Sequence, residues 1–321
     1  MNIQQLEYIV AVDNHRHFAK ASEKSFVTQP TLSMMIQKLE EELSVKIFDR
    51  GKQPVIPTRE GAEIIRRAKL VLAEVNALKN FTTELKDEMG GELRFGIIPT
   101  LAPYLLPLFL KSFRNKNRAL KLYIKEMVTD EIIAGLKTGE LDMGLLATPL
   151  HDERLTEHHL FYEELFVYAS ICFNRSNKTL LVAEEIDLNN LWLLEEGHCL
   201  RNQVINLCEL KKSKTKSDTL HYESGSIETL INLVDNNQGM TIVPELATYN
   251  LSPSQKKNIC RFADPVPVRE ISLVTSKEFP RKKLLELFRD EIKSSIPLKS
   301  NDQVKKILEI KSFMDTPAEL N

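Results

Sequence analysis

The chain has 321 residues, 42% of them hydrophobic and 27% charged, with a formal net charge of −2. That is room for roughly two or three domains with a substantial core. The composition excludes a disordered or fibrous chain, and no apolar run is long enough to span a membrane.

The opening stretch, MNIQQLEYIVAVDNHRHF, lacks a basic leader, and Glu7 and Asp13 interrupt its apolar run. It does not read as a signal peptide, so a reducing cytoplasm is expected. In that setting the four cysteines, Cys172, Cys199, Cys208 and Cys260, are not expected to form a static disulfide framework. There is no CxxC pair and no histidine-rich spacing, so neither a metal nor another cofactor is expected.

Ile3, Leu6, Ile9, Val10 and Val12 mark the apolar face of a first helix. A short helix, FAKASEKS, a tight FVTQ turn and a further helix, PTLSMMIQKLEEEL, follow. Pro30 suits a first helical position, and Leu32, Ile36, Leu39 and Leu43 line one buried face. This order of elements is that of a helix-turn-helix. KIFDRGKQPVIPT then reads as two short strands forming a wing. Through Thr58 there are seven basic and seven acidic side chains, so affinity for a polyanion would have to come from a local basic face and from dimeric binding.

Thr58 can cap a long helix from Arg59 to about Asp87, with Glu60 in its first turn. Ile64, Ala68, Val71, Val75, Leu78 and Leu85, with Thr82 in the gap, alternate at spacings of four and three. That is a coiled-coil seam, and a second copy of the chain is expected to cover it. Met89, Gly90 and Gly91 form a hinge.

From Glu92 onward strands and helices alternate. ELRFGIIP, LKLYIKEMV, LDMGLLA, ELFVYAS, LWLLEEG, TLHYES, GMTIVPELA and REISLVTS read as strands in a largely parallel α/β arrangement. Thr100 and Thr129 both follow strands, where each can face a ligand cleft or merely cap a helix.

The stretch LWLLEEGHCLRNQVINLC passes through Gly197 into a helix near Cys199. A thiol at a helix start beside His198 and Arg201 is expected to have a lowered pKa. Cys208 lies nine positions on. Nine helical residues separate two Cα atoms by about 13.5 Å, whereas a disulfide needs about 4.4 to 6.8 Å. Bonding between the two would therefore require the helix to rearrange. Cys172 and Cys260 lack such neighbours and read as structural or incidental.

LEYIVAV through FVTQPTLSMMIQKLEEELSVKIFDR resembles the winged helix-turn-helix of LysR-type transcriptional regulators. GHCLR with a second cysteine nine positions on, together with IPTLAPYLLP, resembles the peroxide-sensing branch of that family over residues 1 to about 296. The resemblance implies an α/β chain: a winged helix-turn-helix at 1–58, a linker and dimerisation helix at 59–88, and a two-subdomain, periplasmic-binding-protein-like effector domain at 89–297. Subdomain I would comprise 89–162 and 268–297, subdomain II 163–267, and a tail 298–321 would follow, in which Val304 to Phe313 has the spacing of an amphipathic helix.

By the same resemblance Thr28, Gln29, Pro30, Thr31 and Ser33 approach DNA, with Arg50 in the wing on the backbone or minor groove. Cys199 is the peroxidatic and Cys208 the resolving thiol; Thr100, Thr129 and His198 hold peroxide, and Arg269 steadies the thiolate. The chain departs from the family at Met34, Met35 and Gln37, and at Asn202, where an aspartate is expected. The implied protein is not an enzyme but a cytoplasmic regulator of oxidative-stress genes. It binds double-stranded DNA at two half-sites as a homodimer or homotetramer, with RNA polymerase and a cellular thiol reductant as partners and no membrane. The alternatives are a regulator of the same fold that answers a small metabolite in the cleft, and a thiol peroxidase with an attached DNA-binding module.

Overall fold

The computed structural model describes residues 1–85, 90–169, 180–181, 186, 190–207, 224–237, 239–297 and 305–308. The chain divides into two compact units: Met1–Glu88, with which Gly135–Leu141 is grouped, and the remainder from Met89.

The first unit begins with α1 (Ile3–His15). Its start is a capping box: the Gln5 amide donates to Asn2 Oδ1 and the Asn2 amide to Gln5 Oε1, each at 2.9 Å. Two backbone donors that a helix start leaves unpaired are thereby satisfied. Helices α2 (Phe18–Lys24) and α3 (Gln29–Leu43) follow. Leu6, Ile9, Val12, Leu32, Ile36 and Leu39 meet in one core, as their helical spacing requires. The wing is the antiparallel pair β1 (Phe48–Asp49) and β2 (Ile56–Pro57).

Helix α4 (Arg59–Leu85) starts where the Gly61 amide donates to Thr58 Oγ1 at 2.9 Å. A Cβ on Gly61 would lie 2.0 Å from the Ile47 carbonyl oxygen, so only glycine lets the helix pass the chain entering the wing. Ile65 and Ala68 are buried against the first unit's core. Farther along, Val71 is 46% and Leu78 66% exposed. Leu85 closes the described part of the helix, and Asp87 lies outside the described residues.

The second unit is built on a mixed sheet rather than a largely parallel one. The strands are β3 (Gly91–Ile97), β4 (Leu120–Glu126), β5 (Met143–Thr148), β6 (Leu155–Ala169), β7 (Leu180–Leu181), β8 (Met240–Pro244), β9 (Ile259–Phe262), β10 (Val266–Ser276) and β11 (Lys305–Ile307). Among the described residues the hydrogen-bonded order is β4-β3-β5-β10-β6-β9-β7, with β8 on β6 and β11 on β10. β3 runs parallel to β4 and β5, while β10 is antiparallel to β5 and β6. The helices are α5 (Ala102–Lys116), α6 (Thr129–Thr138), α7 (Cys199–Leu207), α8 (Ile227–Asn237), α9 (Glu245–Tyr249) and α10 (Lys282–Ser295). Phe288 of α10 sits edge-on to Phe95, Phe109 and Phe113, with centroids 4.9 to 5.4 Å apart. Such rings fill the core on that face of the sheet and prefer this T-shaped geometry.

Long strand β6 carries the chain from one half of the sheet to the other. Its first part pairs with β10, Leu155 through Glu164, and its last part with β8 and β9.

Two local expectations are corrected, and a third falls outside the described residues. Leu191–Gly197 is not a continuous strand: Leu191 and Leu194 make isolated bridges to Met240 and Ser224. TLHYES, read as a strand, lies outside the described residues except for Ser224. Finally, Lys305–Ile307 is a strand parallel to Val266–Val268, where residues 304–313 had the spacing of an amphipathic helix. β5 pairs with β10 only from Glu270 onward, so the backbone edge of Val266–Val268 is open for the tail to satisfy. Residues 309–313 of that expected helix lie outside the described residues.

Candidate functional site

Cys199 opens α7 and is 4% exposed. Gly197, with φ of +95°, makes the left-handed turn into it, a conformation that suits glycine. Thr129 is the first residue of α6, and Thr100 lies between β3 and α5; both are buried. Two of these polar side chains thus sit at helix starts and the third just ahead of one, where backbone N–H groups favour negative charge.

Arg269 links them to the sheet. It lies opposite Glu163 in the β10–β6 register, and both are fully buried. Arg269 Nε donates to Glu163 Oε2 at 2.8 Å, while Nη1 reaches Thr100 Oγ1 at 2.9 Å and Nη2 the Thr100 carbonyl at 3.1 Å. The other carboxylate oxygen of Glu163 accepts from the Leu246 amide at 2.8 Å. The guanidinium is held by its own partners and acts on the sulfur through its charge.

Burial pushes the Cys199 thiol above its ordinary pKa; against this, Arg269, Thr129 and the amides of Leu200 and Cys199 favour the thiolate. The expectation of a lowered pKa is therefore corrected: the helix start is present, but desolvation outweighs it. The two cations expected at the sulfur also differ. Arg201 turns away and donates from Nη1 to the Leu194 carbonyl at 2.6 Å. His198 is buried beside Cys199 in the chain, and its Nε2 lies 3.5 Å from Glu195 Oε1.

Thr129 Oγ1 acts on the sulfur as a donor, although its geometry falls short of a full hydrogen bond and it has no other partner. The geometry decides: this is a buried hydroxyl beside the thiol with hydrogen-bonding capacity to spare. Glu163 was missed by sequence reasoning, because a single glutamate in an apolar strand carries no signal until the register sets it against Arg269.

Cys208 follows α7 directly and lies outside the described residues, as does Cys172. Cys199 is a free thiol. Cys260, on β9, is disulfide-bonded, which corrects the expectation that the cysteines take no part in a static disulfide.

In the first unit Thr28 caps α3, its Oγ1 accepting from the Thr31 amide at 3.4 Å. Gln29, Pro30 and Thr31 are exposed on the first turn, while Ser33 is half-buried. Arg50 is braced rather than free: Nη1 donates to Ser33 Oγ at 3.0 Å, Nη2 to Glu40 Oε2 at 3.2 Å, and the guanidinium lies 5.0 Å from the Phe18 ring centre. Glu40 is buried and accepts from the amides of Ile47 and Phe48, fixing the start of the wing. Met34 is exposed, and Met35 packs on the core. Phe26, before α3, is 95% exposed with φ of +54°, an unusual position for an aromatic that the sequence did not flag.

Among the described residues no helix is long and apolar enough to cross a membrane, and no group of three His, Cys, Asp or Glu is placed to hold a metal.

Comparison with known proteins agrees with this geometry. The family model described as "Bacterial regulatory helix-turn-helix protein, lysR family" matches residues 3–62, and "LysR substrate binding domain" matches residues 86–296. The chain is 33% identical over 309 residues to a "Hydrogen peroxide-inducible genes activator" of Haemophilus influenzae, covering 96% of this chain and 99% of that protein. It is 34% identical over 297 residues to the "DNA-binding transcriptional dual regulator OxyR" of Escherichia coli, covering 92% and 95%. Full-length OxyR C199D from Pseudomonas aeruginosa superposes with a TM-score of 0.74 at 30% identity, covering 92% of this chain and 99% of that one. The chain belongs to the LysR family of bacterial transcriptional regulators, in its OxyR-like branch.

Proposed function

We propose that this chain is a DNA-binding regulator switched by hydrogen peroxide at Cys199. The observation that carries the reading is a buried thiol at a helix start, free among the described residues, with the buried, unpartnered hydroxyl of Thr129 at the start of α6 and the buried Arg269 favouring the thiolate. A metabolite site needs no buried thiol at a helix start.

The chemistry follows from these groups. The Cys199 sulfur attacks one peroxide oxygen and the O–O bond breaks. The departing hydroxide takes the thiol proton and leaves as water, so Cys199 becomes a sulfenic acid. Thr129 is free to hydrogen-bond the peroxide, and Arg269 offsets negative charge on the sulfur as it develops. Cys208 then attacks the sulfenic sulfur, which expels the second water and closes a disulfide. Peroxide is reduced by two electrons and the two thiols are oxidised by two; a cellular thiol reductant returns them.

Since α7 runs unbroken from Cys199 to Leu207, the bridge requires it to unwind. That rearrangement is the signal to the DNA-binding unit. Thr28, Gln29, Pro30, Thr31 and Ser33 supply the helix start that meets DNA, and the braced Arg50 and the exposed Phe26 flank it. The exposed Val71 and Leu78 support dimerisation through α4, with two half-sites as the consequence. Tetramers and contact with RNA polymerase belong to the same reading, as does a location in the cytoplasm.

A footprint of the full-length protein on its own promoter, before and after a peroxide pulse, tests this. The parent chain should change its contacts, and Cys199→Ser should not. A Cys199→Ser protein that still shifts its footprint on peroxide would return the reading to a ligand in the cleft.

A further inference from the structure

The helix that the proposed bridge must unwind is held by a segment far away in the chain. The buried residues of α7 are Cys199, Leu200, Gln203, Val204 and Leu207. Gln203 is the polar exception, fully buried halfway between the two cysteines. Its Nε2 donates to the Leu308 carbonyl at 3.0 Å, and its Oε1 has no partner. The one bond this amide makes is therefore to the tail.

Leu308 is well placed to hold it. Its side chain is buried, and its amide donates to the Val268 carbonyl at 2.9 Å. The three residues before it, β11, run parallel to Val266–Val268. Arg269, whose charge acts on Cys199, is the next residue of that strand. Four residues of the tail thus join both parts of the site: their backbone lies on the strand that carries Arg269, and their last carbonyl holds the helix that Cys199 begins.

We propose that Lys305–Leu308 is a latch on the redox helix, which holds α7 in its thiol-form register and sets the pace at which Cys208 reaches an oxidised Cys199. The pace-setting role rests on the peroxide-switch reading above; the hold on α7 does not. Unwinding α7 carries Gln203 away from the Leu308 carbonyl and leaves both groups to find other partners in a buried setting. The latch does not touch the reacting oxygen, so it leaves the first oxidation alone and slows the second. Sulfenic acid at Cys199 then persists long enough for a reductant to reverse it, and brief peroxide exposure does not throw the switch.

The test uses the full-length chain with two variants, Gln203→Met and Leu308→Asp. The first removes the amide at nearly constant volume, and the second unseats the tail without altering α7. In the reduced proteins, amide exchange across residues 200–207 should be roughly 3- to 10-fold faster in both variants than in the parent, the factor that one net hydrogen bond is worth. Exchange in α8 should stay the same. Equal exchange across 200–207 in all three chains would overturn the latch, whatever the redox chemistry. After a peroxide pulse, dimedone trapping should give the same rate of sulfenic acid formation in the three chains, while bridge formation is faster in both variants by a similar factor. Equal rates of bridge formation would overturn the pace-setting role. Faster exchange with no Cys199–Cys208 bridge in any chain would instead sink the peroxide-switch reading, and the pace-setting role with it.

Discussion

Cys199 carries two opposing influences. A helix start and Arg269 favour the thiolate, and complete burial favours the thiol; burial wins because the positive charge of Arg269 is already matched by Glu163 at 2.8 Å. The resting site therefore holds its proton and ignores electrophiles that bring no way to remove it. The pH dependence follows. The folded-state pKa lies above the unfolded one, so the neutral thiol contributes stability below the ordinary thiol range, and that contribution is lost as pH rises through the folded value. Alkylation of Cys199 by iodoacetamide in the reduced protein should keep rising with pH through the ordinary thiol range, as only the thiolate reacts. A plateau near neutrality would contradict the burial argument. Cys199, Thr100 and Thr129 could each be placed at a strand or helix boundary from the sequence, whereas Arg269, inside β10, was pointed to only by the family resemblance. Their relation was not legible. Thr100 and Arg269 are 169 positions apart, and Glu163 became visible only through the β6–β10 register.

At the level of elements, legibility followed periodicity and caps. Helices α1, α3 and α4 showed regular apolar faces and capping residues, so their positions could be read directly. Strand β6 was read only over its last part, because His158, His159 and neighbouring polar residues on its earlier part hide the apolar alternation. The tail failed for a different reason: three residues take up strand pairing because β10 offers an open edge there, and nothing local announces it. Some element contacts rest on one residue. Where α4 passes the Ile47 carbonyl, a methyl group has no room. Gly61→Ala should destabilise the first unit by about 3 kcal/mol, the upper end of overpacking costs. Denaturant unfolding of the full chain, followed by a probe in that unit, would measure it. An unchanged midpoint would mean that α4 does not need this close approach.

For the molecule as a whole, the proposed function needs two copies acting together, and the exposed stripe of α4 is where they would meet. Helix α4 buries Ile65 and Ala68 on its own unit but leaves open Val71, three residues beyond Ala68 in the seam pattern, and Leu78, seven farther on. A double change, Val71→Glu with Leu78→Glu, should leave each unit folded yet shift sedimentation to the monomer and weaken promoter binding at least tenfold, since one half-site then binds alone. A variant that stays dimeric would place the dimer contact elsewhere. In the proposed switch, peroxide writes its signal as a bond between Cys199 and Cys208, made by unwinding α7. The direct measurement is mass-spectrometric mapping of every cysteine pair in the full-length protein after a mild peroxide pulse, with Cys260 followed separately because it is already bonded. The expected outcome is a Cys199–Cys208 bridge that appears with the pulse, disappears with a thiol reductant and is absent in Cys199→Ser. A free Cys199 after the pulse, with DNA contacts changed all the same, would contradict it.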